Sequence, residues 1–346
     1  MIDWNKVSRV LVVKLRSIGD TVLATPSLTA LRRFLPDAQI DILLEDWVAP
    51  ILAGHRSVNN VISVGKGTAE RIAVARRLRQ TGYDVVFNLH GGTTSTFFTR
   101  ATGAPHRVGY SNYQYAFLYD HRLSSSADFW GRKTTHSAEQ QLALLGSVGV
   151  PVNDMPASSL TIDPVAETSV TNRLESIGNR PIALIHPAAA FETKQWPTAN
   201  FAAAAAYLHR RGIHPVAVSS PSERPVLELL AAAASVPLTT FSDLSLPEIS
   251  ALAARASVFV GNDSGIAHIA AAVGTPTVVI FGSSNRDHWR PWTAAPYQLV
   301  FEPYACQPCA GYECKVFGEP RCIQSVSTDA VVRAIDNILP IEADRK

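Results

Sequence analysis

The stretch Val260-Gly-Asn-Asp-Ser-Gly-Ile-Ala-His-Ile-Ala-Ala-Ala-Val-Gly-Thr-Pro-Thr-Val-Val-Ile-Phe-Gly282 decides the fold of this chain. It runs from the end of an apolar strand through a polar turn into a short helix, and then into a second buried strand. Asp263 and Ser264 are good helix N-cap residues, and Gly265 lets the backbone come close to a ligand. The first-turn amides, with His268 on the same turn, then face open space where an anion is favoured. The pattern predicts a pocket for the diphosphate of a nucleotide.

Strands and helices alternate on both sides of this stretch. In the amino-terminal half we predict strands at 9–15, 39–44, 58–64 and 84–90, and helices at 21–34, 68–81 and 135–145. In the carboxy-terminal half we predict strands at 181–186, 214–219, 238–241, 258–260 and 278–281, and helices at 198–211, 222–234, 246–254 and 328–338. Alternating strands and helices predict a parallel, doubly wound sheet. We therefore expect an α/β protein with two Rossmann-like domains that face each other across a cleft, and ligands beyond the carboxyl ends of the strands.

A proline-containing segment marks the expected domain boundary. Residues 150–164 hold three prolines and little periodic pattern, which is typical of a linker. The chain has 346 residues, enough for about two domains of ~150 residues. We expect an amino-terminal domain at 1–160, a carboxy-terminal domain at 170–327, and a closing segment at 328–346 with the option of packing back on the amino-terminal domain.

Composition and missing motifs exclude several classes of function. The net charge of +2 argues against a general nucleic-acid-binding protein. No apolar run approaches the ~20 residues that span a bilayer, and the polar start of the chain does not resemble a signal peptide. We therefore expect a cytoplasmic protein, with at most peripheral contact with a membrane. The sequence contains no GxxxxGK[ST], GxGxxG, HExxH or GxSxG motif, so phosphoryl transfer, dinucleotide redox chemistry, zinc proteolysis and serine hydrolysis lose support.

Polar turns follow three further predicted strands. Asp20 lies after the first strand, where a carboxylate can cap a helix or act as a general base. Thr193 and Lys194 lie between the strand at 181–186 and the next helix, and a lysine beside an anion pocket can bind phosphate. Glu223 follows the strand at 214–219, where it can bind a ribose or complement the dipole of a helix start.

All four cysteines lie within one short segment, and they are Cys306, Cys309, Cys314 and Cys322. Four thiols this close can form a tetrahedral zinc site, although the spacing is not that of a standard zinc ribbon. Free thiols in a reducing compartment explain the pattern equally well. The sequence leaves a structural metal site open and indicates no catalytic metal.

Three motifs together resemble the lipopolysaccharide heptosyltransferases of glycosyltransferase family 9. They are Leu15-Arg-Ser-Ile-Gly-Asp20, Lys194-Gln-Trp-Pro197 and Gly261-Asn-Asp-Ser-Gly-Ile-Ala-His268, in this order. The cysteine-rich segment resembles the heptosyltransferase II branch. The resemblance implies a GT-B architecture with the donor in the carboxy-terminal half and the acceptor in the amino-terminal half. It also implies inverting transfer of L-glycero-D-manno-heptose from ADP-heptose to the lipopolysaccharide inner core, without a metal ion or cofactor.

The resemblance also implies roles for individual residues. Asp20 matches the catalytic base, and Ser17 matches the polar residue beside it. Lys194 matches a donor-phosphate contact that stabilises the leaving group. The other implied donor contacts are Thr193, Glu223, Asp263, Ser264, Gly265 and His268. The implied acceptor is an anionic lipid A-core at the cytoplasmic face of the inner membrane, and the candidates for binding its phosphates and carboxylates are Arg16, Arg71, Arg76, Arg100 and Arg107.

Other functions stay open at this point. A family 9 glycosyltransferase with a different sugar or acceptor would carry the same motifs. A sugar-nucleotide epimerase can share the two-domain architecture, and a non-catalytic nucleotide-sugar-binding protein could keep the donor pocket. The presence of both Asp20 and Lys194 argues against the non-catalytic alternative, and the resemblance implies a glycosyltransferase of class EC 2.4.

Overall fold

The computed structural model describes residues 1–309 and 311–339, and these form two compact units that divide between Thr161 and Ile162. The division falls inside the proline-containing segment at 150–164. Each unit contains one parallel six-stranded sheet with its own buried core. The fold is therefore α/β with two doubly wound sheets, as the sequence predicts.

The first unit contains a sheet with strand order β3-β2-β1-β4-β5-β6. Its strands are β1 (Arg9–Val13), β2 (Gln39–Glu45), β3 (Asn60–Val64), β4 (Val85–Asn88), β5 (His106–Tyr110) and β6 (His121–Leu123). In β1, every residue after Arg9 is buried. Such a continuous apolar run is typical of a parallel strand that is covered on both faces. Val12 of this strand pairs in register with Ile42 on one side and Phe87 on the other.

The helices of the first unit are α1 (Ile18–Val22), α2 (Thr25–Phe34), α3 (Thr68–Thr81), α4 (Thr93–Ala101), α5 (Ser126–Trp130) and α6 (Ser137–Gly146). The helix predicted at 68–81 has the predicted bounds and ends at Gly82, whose φ of 69° lies in the left-handed region. The helix predicted at 21–34 is divided into α1 and α2. The segment 103–135 contains β5, β6 and α5. Its sequence shows little periodicity because these elements are too short for a periodic pattern to develop.

The second unit contains a sheet with strand order β12-β11-β10-β7-β8-β9. Its strands are β7 (Ile182–His186), β8 (His214–Val218), β9 (Thr239–Phe241), β10 (Ala256–Asn262), β11 (Thr277–Phe281) and β12 (Tyr297–Phe301). Its helices are α7 (Pro164–Arg173), α8 (Thr198–Arg210), α9 (Arg224–Ala233), α10 (Leu246–Arg255), α11 (Gly265–Ala272), α12 (Arg286–Trp289), α13 (Arg321–Gln324) and α14 (Thr328–Ile338). Taken from the opposite edge, this order is β9-β8-β7-β10-β11-β12, which is the same topology as that of the first sheet.

The helix α14 belongs to the core of the second unit. Val331 and Ile335 are buried in that core, and Asp336 accepts a hydrogen bond from Arg211 Nη1 at 2.8 Å. Its apolar face is therefore covered by its own unit, and packing of the closing segment on the amino-terminal domain stays a prediction. The end of the predicted closing segment, 340–346, lies outside the described residues. Among the helices that the structure describes, none is long and apolar enough to cross a membrane.

Candidate functional site

Three of the predicted site residues, Asp20, Lys194 and Asp263, lie where the strand order of each sheet reverses. This point falls between β1 and β4 in the first sheet and between β7 and β10 in the second. Loops leave such a point in opposite directions and open a crevice at the carboxyl ends of the strands. Asp20 follows β1, Lys194 follows β7, and Asp263 follows β10. Each unit therefore places its candidate residues at the position where a doubly wound sheet binds ligands.

Asp20 is held by two donors. Lys14 Nζ lies 2.9 Å from Asp20 Oδ1, and Ser17 Oγ donates to Asp20 Oδ2 at 2.9 Å. Lys14 Nζ also donates to the carbonyl oxygen of Leu89, at 3.0 Å, at the end of β4. The Lys14 side chain is 7% exposed and that of Asp20 is 29% exposed. Lys14 and Ser17 thus orient the Asp20 carboxylate, while part of its side chain stays open to solvent.

The electrostatic surroundings keep Asp20 ionised. Burial opposes the charged form, but the Lys14 ammonium and the hydrogen bonds from Lys14 and Ser17 outweigh it and lower the pKa of Asp20 below its ordinary value. His90 follows β4 nearby, and burial together with the charge of Lys14 lowers its pKa, although Asp20 opposes this shift. At neutral pH the site therefore contains the Asp20 carboxylate and a neutral His90 imidazole beside the Lys14 side chain.

Lys14 and His90 are two residues of this site that the sequence motifs do not predict. A signal for Lys14 was present, because a lysine inside the apolar run 10–15 must find a partner when it is buried. His90 ends a predicted strand before two glycines, but a histidine at a strand end is too common to indicate a site by itself.

In the second unit, Asp263 orients Lys194. Lys194 Nζ lies 2.8 Å from Asp263 Oδ2, and Ser284 Oγ donates to the same oxygen at 2.5 Å. The Asp263 side chain is 6% exposed and that of Lys194 is 20% exposed. A carboxylate repels a diphosphate, so Asp263 is placed to position Lys194 rather than to contact the anion itself. Lys194 Nζ also lies 5.4 Å from the centre of the Phe191 ring, within range of a cation–π interaction.

Thr193 links the loops that follow β7 and β11. Its side chain donates to the carbonyl oxygen of Gly311 at 3.0 Å and accepts a hydrogen bond from Ser283 Oγ at 2.9 Å. The residue is buried, with 1% of its surface exposed. These contacts already use the hydroxyl that the sequence analysis assigned to the donor phosphate. Thr193 therefore supports the site instead of opening onto it.

Ser264 occupies the N-cap position before α11, but its hydroxyl does not cap the helix. The residue has an extended backbone, and no hydrogen bond joins its side chain to the first-turn amides. Its Oγ lies instead 3.2 Å from His186 Nδ1. Burial lowers the pKa of His186 to about 4, against the opposing effect of Glu223, so this imidazole is neutral at neutral pH. The Ser264 hydroxyl therefore leaves the amide end of α11 available to an anion.

The remaining donor candidates have clear local contacts. Glu223 Oε2 accepts hydrogen bonds from Ser220 N at 3.0 Å and from Ser220 Oγ at 2.7 Å, which closes a capping box. Of the two roles considered for Glu223, these contacts match the one at a helix start and not the binding of a ribose. Gly265 is the first residue of α11, and His268 lies buried on the same turn. Asn262, at the end of β10, connects this strand to the loop that follows β7. Its side chain accepts a hydrogen bond from Trp196 N at 3.1 Å and donates one to the Pro187 carbonyl oxygen at 2.9 Å.

The five candidate arginines differ in their availability. Arg107 forms a two-point ion pair with Asp120, at 2.8 and 2.9 Å, and the hydrogen bonds that it donates to this carboxylate raise the pKa of Arg107. Its guanidinium is therefore already engaged, which argues against a role in binding the acceptor. Arg71 is half-buried and donates to the Gly65 carbonyl at 3.3 Å. The other three candidates are exposed, and they are Arg16, Arg76 and Arg100.

The four cysteines lie around one cavity. Cys306, Cys309, Cys314 and Cys322 line a cavity of about 330 Å³ together with Thr193 and other side chains. All four are free thiols, and burial together with the neighbouring cysteines raises the pKa of Cys322. Within 1–309 and 311–339, no group of three or more His, Cys, Asp or Glu residues is arranged to hold a metal ion. The tetrahedral site considered from the spacing therefore gains no support.

The sequence of this chain is similar to those of known glycosyltransferases. Residues 71–318 match the family model described as "Glycosyltransferase family 9 (heptosyltransferase)". The chain is 28% identical over 346 residues to lipopolysaccharide heptosyltransferase 3 of Escherichia coli, which covers 94% of this chain and 98% of that protein. It is 25% identical over 301 residues to lipopolysaccharide heptosyltransferase 2 of E. coli K12, covering 82% and 85%.

A solved structure shows the same fold. The structure of E. coli ADP-heptose lps heptosyltransferase II superposes with a TM-score of 0.80, covers 96% of this chain and 98% of that chain, and is 21% identical. At this identity the likeness establishes the fold alone.

Proposed function

Because this chain belongs to glycosyltransferase family 9 (heptosyltransferase), and is therefore a glycosyltransferase, we propose that it transfers a heptose from an ADP-activated donor to the lipopolysaccharide inner core. The proposed donor is ADP-L-glycero-D-manno-heptose, and the reaction inverts the anomeric carbon without a metal ion or cofactor. The names of the similar E. coli proteins support this substrate class. The reaction would take place in the cytoplasm, at the face of the membrane that carries the lipid A-core acceptor.

One observation carries the proposal most directly. Lys194 is fixed by Asp263 beside the amide end of α11, and the hydroxyl of Ser264 is turned away from those amides towards His186. An ammonium and uncapped helix amides at one strand-end crevice form a site for a diphosphate. The stretch 260–282 predicts the helix start of this arrangement, whereas Lys194 comes from the loop after β7.

The second unit would stabilise the leaving group. As the bond between the sugar and the diphosphate breaks, negative charge grows on the departing ADP. Lys194 and the first-turn amides of α11 are already oriented towards such a charge, so little reorganisation is needed. In well-studied sites one oriented donor of this kind is worth ~2.7–4 kcal/mol. Asp263 holds the ammonium in place, and the buried contact between Thr193 and Ser283 fixes the loop that carries it.

The first unit would activate the acceptor. Asp20 takes the proton from the attacking hydroxyl while the sugar ring develops oxocarbenium character. A carboxylate with a lowered pKa is a weak base, so proton transfer occurs late, when bonding to carbon has made the hydroxyl acidic. Lys14 and Ser17 orient Asp20, and its exposed side leaves access for the acceptor.

The variant Asp20→Asn tests the proposed base. A lost general base lowers kcat by about 10²–10⁴-fold, whereas the affinity for ADP should stay the same because ADP would be held by the second unit. Heptose transfer and ADP binding by calorimetry are measured separately. The matched control is Asp37→Asn, an exposed carboxylate of the same unit, which should retain normal turnover. Near-normal turnover by Asp20→Asn would remove the base from this mechanism.

Product analysis tests the substrate assignment. The protein is incubated with ADP-, UDP- or GDP-activated sugars, with and without a lipopolysaccharide acceptor that lacks the outer heptoses. The proposal predicts an ADP-linked heptose as donor, and a product only when acceptor is present. Epimerised nucleotide sugar formed without acceptor would favour an epimerase, and binding without any product would favour a non-catalytic protein.

A further inference from the structure

An exposed surface of the first unit combines aromatic and basic side chains. It is formed by α3, α4 and the turn at 115–118, and it surrounds a cavity of about 610 Å³. The side chains that define this surface, called here the α3–α4 surface, are Arg76, Arg79, Phe97, Arg100, Tyr115 and Phe117. All of them except Arg76 and Phe117 line the cavity itself.

The aromatic side chains of this surface are unusually open to solvent. Phe117 is 75% exposed, Tyr115 is 49% exposed and Phe97 is 48% exposed. The rings of Tyr115 and Phe117 contact each other edge to face, with centres 6.3 Å apart. Single exposed apolar residues are common, but two rings that line one apolar cavity, with a third ring in contact with one of them, indicate a surface that meets a partner.

The charge around these rings is strongly positive. The segments 68–81, 93–101 and 111–119 contain five arginines and one carboxylate, Glu70. That carboxylate accepts a hydrogen bond from the Gly65 amide at 2.8 Å. Arg79 and Arg100 stand beside the apolar lining of the cavity. A second copy of the chain would bring like charges together on this surface, whereas a layer of lipid phosphates would neutralise them.

We propose that the α3–α4 surface docks the protein onto an anionic phospholipid bilayer. The rings of Phe97, Tyr115 and Phe117 enter the boundary between headgroups and acyl chains, where aromatic side chains are favoured. Arg79 and Arg100 meet the lipid phosphates, and each basic residue near such a surface strengthens binding about fivefold. The inference deepens the proposed function, since its purpose rests on an acceptor that is carried by a membrane.

The test is flotation of the full chain with vesicles, without donor or acceptor. Vesicles of phosphatidylcholine alone are compared with vesicles that contain about 30% phosphatidylglycerol. We expect binding to the anionic vesicles that weakens as salt rises. The double variant Arg79→Gln/Arg100→Gln should lower the partition constant for anionic vesicles about 30-fold. The double variant Phe97→Ser/Phe117→Ser should lower it roughly tenfold at every salt concentration.

Matched controls separate this surface from general charge or hydrophobicity. Arg56→Gln and Leu229→Ser each alter an exposed residue elsewhere and should bind vesicles like the unaltered chain. Circular dichroism confirms that each variant is folded. Equal binding by the double variants and the controls, or no binding by the unaltered chain, would overturn the proposal. A dimer that dissociates only in Phe97→Ser/Phe117→Ser would instead assign the surface to self-association.

The outcome does not depend on the transfer reaction. Vesicle binding without turnover on any heptose donor would leave the docking surface standing and refute the proposed function. Heptose transfer in detergent by a chain that does not bind anionic vesicles would support the proposed function and refute the docking surface.

Discussion

At the scale of the residue, each candidate site is built around one carboxylate–ammonium pair. Lys14 contacts Asp20 in the first unit, and Lys194 contacts Asp263 in the second. The two pairs differ in which member stays accessible. Asp20 is the more exposed partner in its pair, whereas Lys194 is the more exposed partner in the other. The first pair therefore presents the Asp20 carboxylate to solvent, and the second presents the Lys194 side chain.

The variant Lys14→Met tests whether the ammonium sets the ionisation of Asp20. Lys14 lowers the pKa of Asp20 against the effect of burial, so its removal should raise that pKa. Because the pKa of Asp20 is lowered in the folded chain, Asp20 is charged at all pH values above the ordinary range of a carboxyl. The charge on Asp20 is lost only as the pH falls through this lowered pKa. The acid limb of kcat/KM should therefore move to higher pH in Lys14→Met, while activity near pH 8 suffers less.

The matched control is Lys6→Met, which alters a lysine whose side chain is 84% exposed. Its pH profile should coincide with that of the unaltered chain. If Lys14→Met lowers activity equally at all pH values, Lys14 acts through structure and not through the charge of Asp20.

At the scale of the element, the donor site depends on how closely the loops after β7 and β11 approach each other. Gly282 follows β11, and a Cβ atom placed there would lie 2.1 Å from the carbonyl oxygen of Thr193. The Ser283 amide donates to that same oxygen at 3.1 Å. Only glycine allows this approach, because a side chain would force apart the backbones that carry Lys194 and Ser284.

The variant Gly282→Ala should therefore weaken both stability and ADP binding. Overpacking of this kind costs about 1–3 kcal/mol, and each kcal/mol lowers the Tm of a unit of this size by about 2–4 °C. Calorimetry of unfolding and of ADP binding measures the two effects. Gly67→Ala is the control, because the nearest atom would lie 3.8 Å from its new Cβ. An unchanged ADP affinity in Gly282→Ala would show that the loop spacing does not matter for the donor.

At the scale of the whole molecule, the two units contain separate sheets and separate cores. Separate cores allow a ligand to stabilise one unit without stabilising the other to the same extent. The donor residues proposed here all belong to the second unit.

Hydrogen exchange with and without ADP tests this division. ADP should slow amide exchange in the loops 186–196, 262–268 and 282–285, and it should leave 14–22 and 88–93 nearly unchanged. Lys194→Met should reduce the protection in all three loops, whereas Lys315→Met, a lysine of the same unit, should reduce it less. Protection centred on 14–22 would place the nucleotide on the wrong unit for this mechanism.

The sequence alone determined the α/β class, most of the long elements and the strand-end turns. These follow from local patterns, because an apolar run, a cap residue or a proline acts on its own neighbours in the chain. The stretch 260–282 folds into β10, α11 and β11 as its pattern predicts. The family resemblance rested on the same turns, and family membership is confirmed.

Only the tertiary structure decided which partner each polar side chain finds. Asp263 and Lys194 are distant in sequence, and their contact exists because β7 and β10 are neighbours in the sheet. The same holds for Arg107, which the fold commits to Asp120, and for Thr193, whose hydroxyl is used by Ser283 and Gly311. Strand order sets these distances, and no local pattern encodes it, since it emerges when all six strands of a sheet pack together.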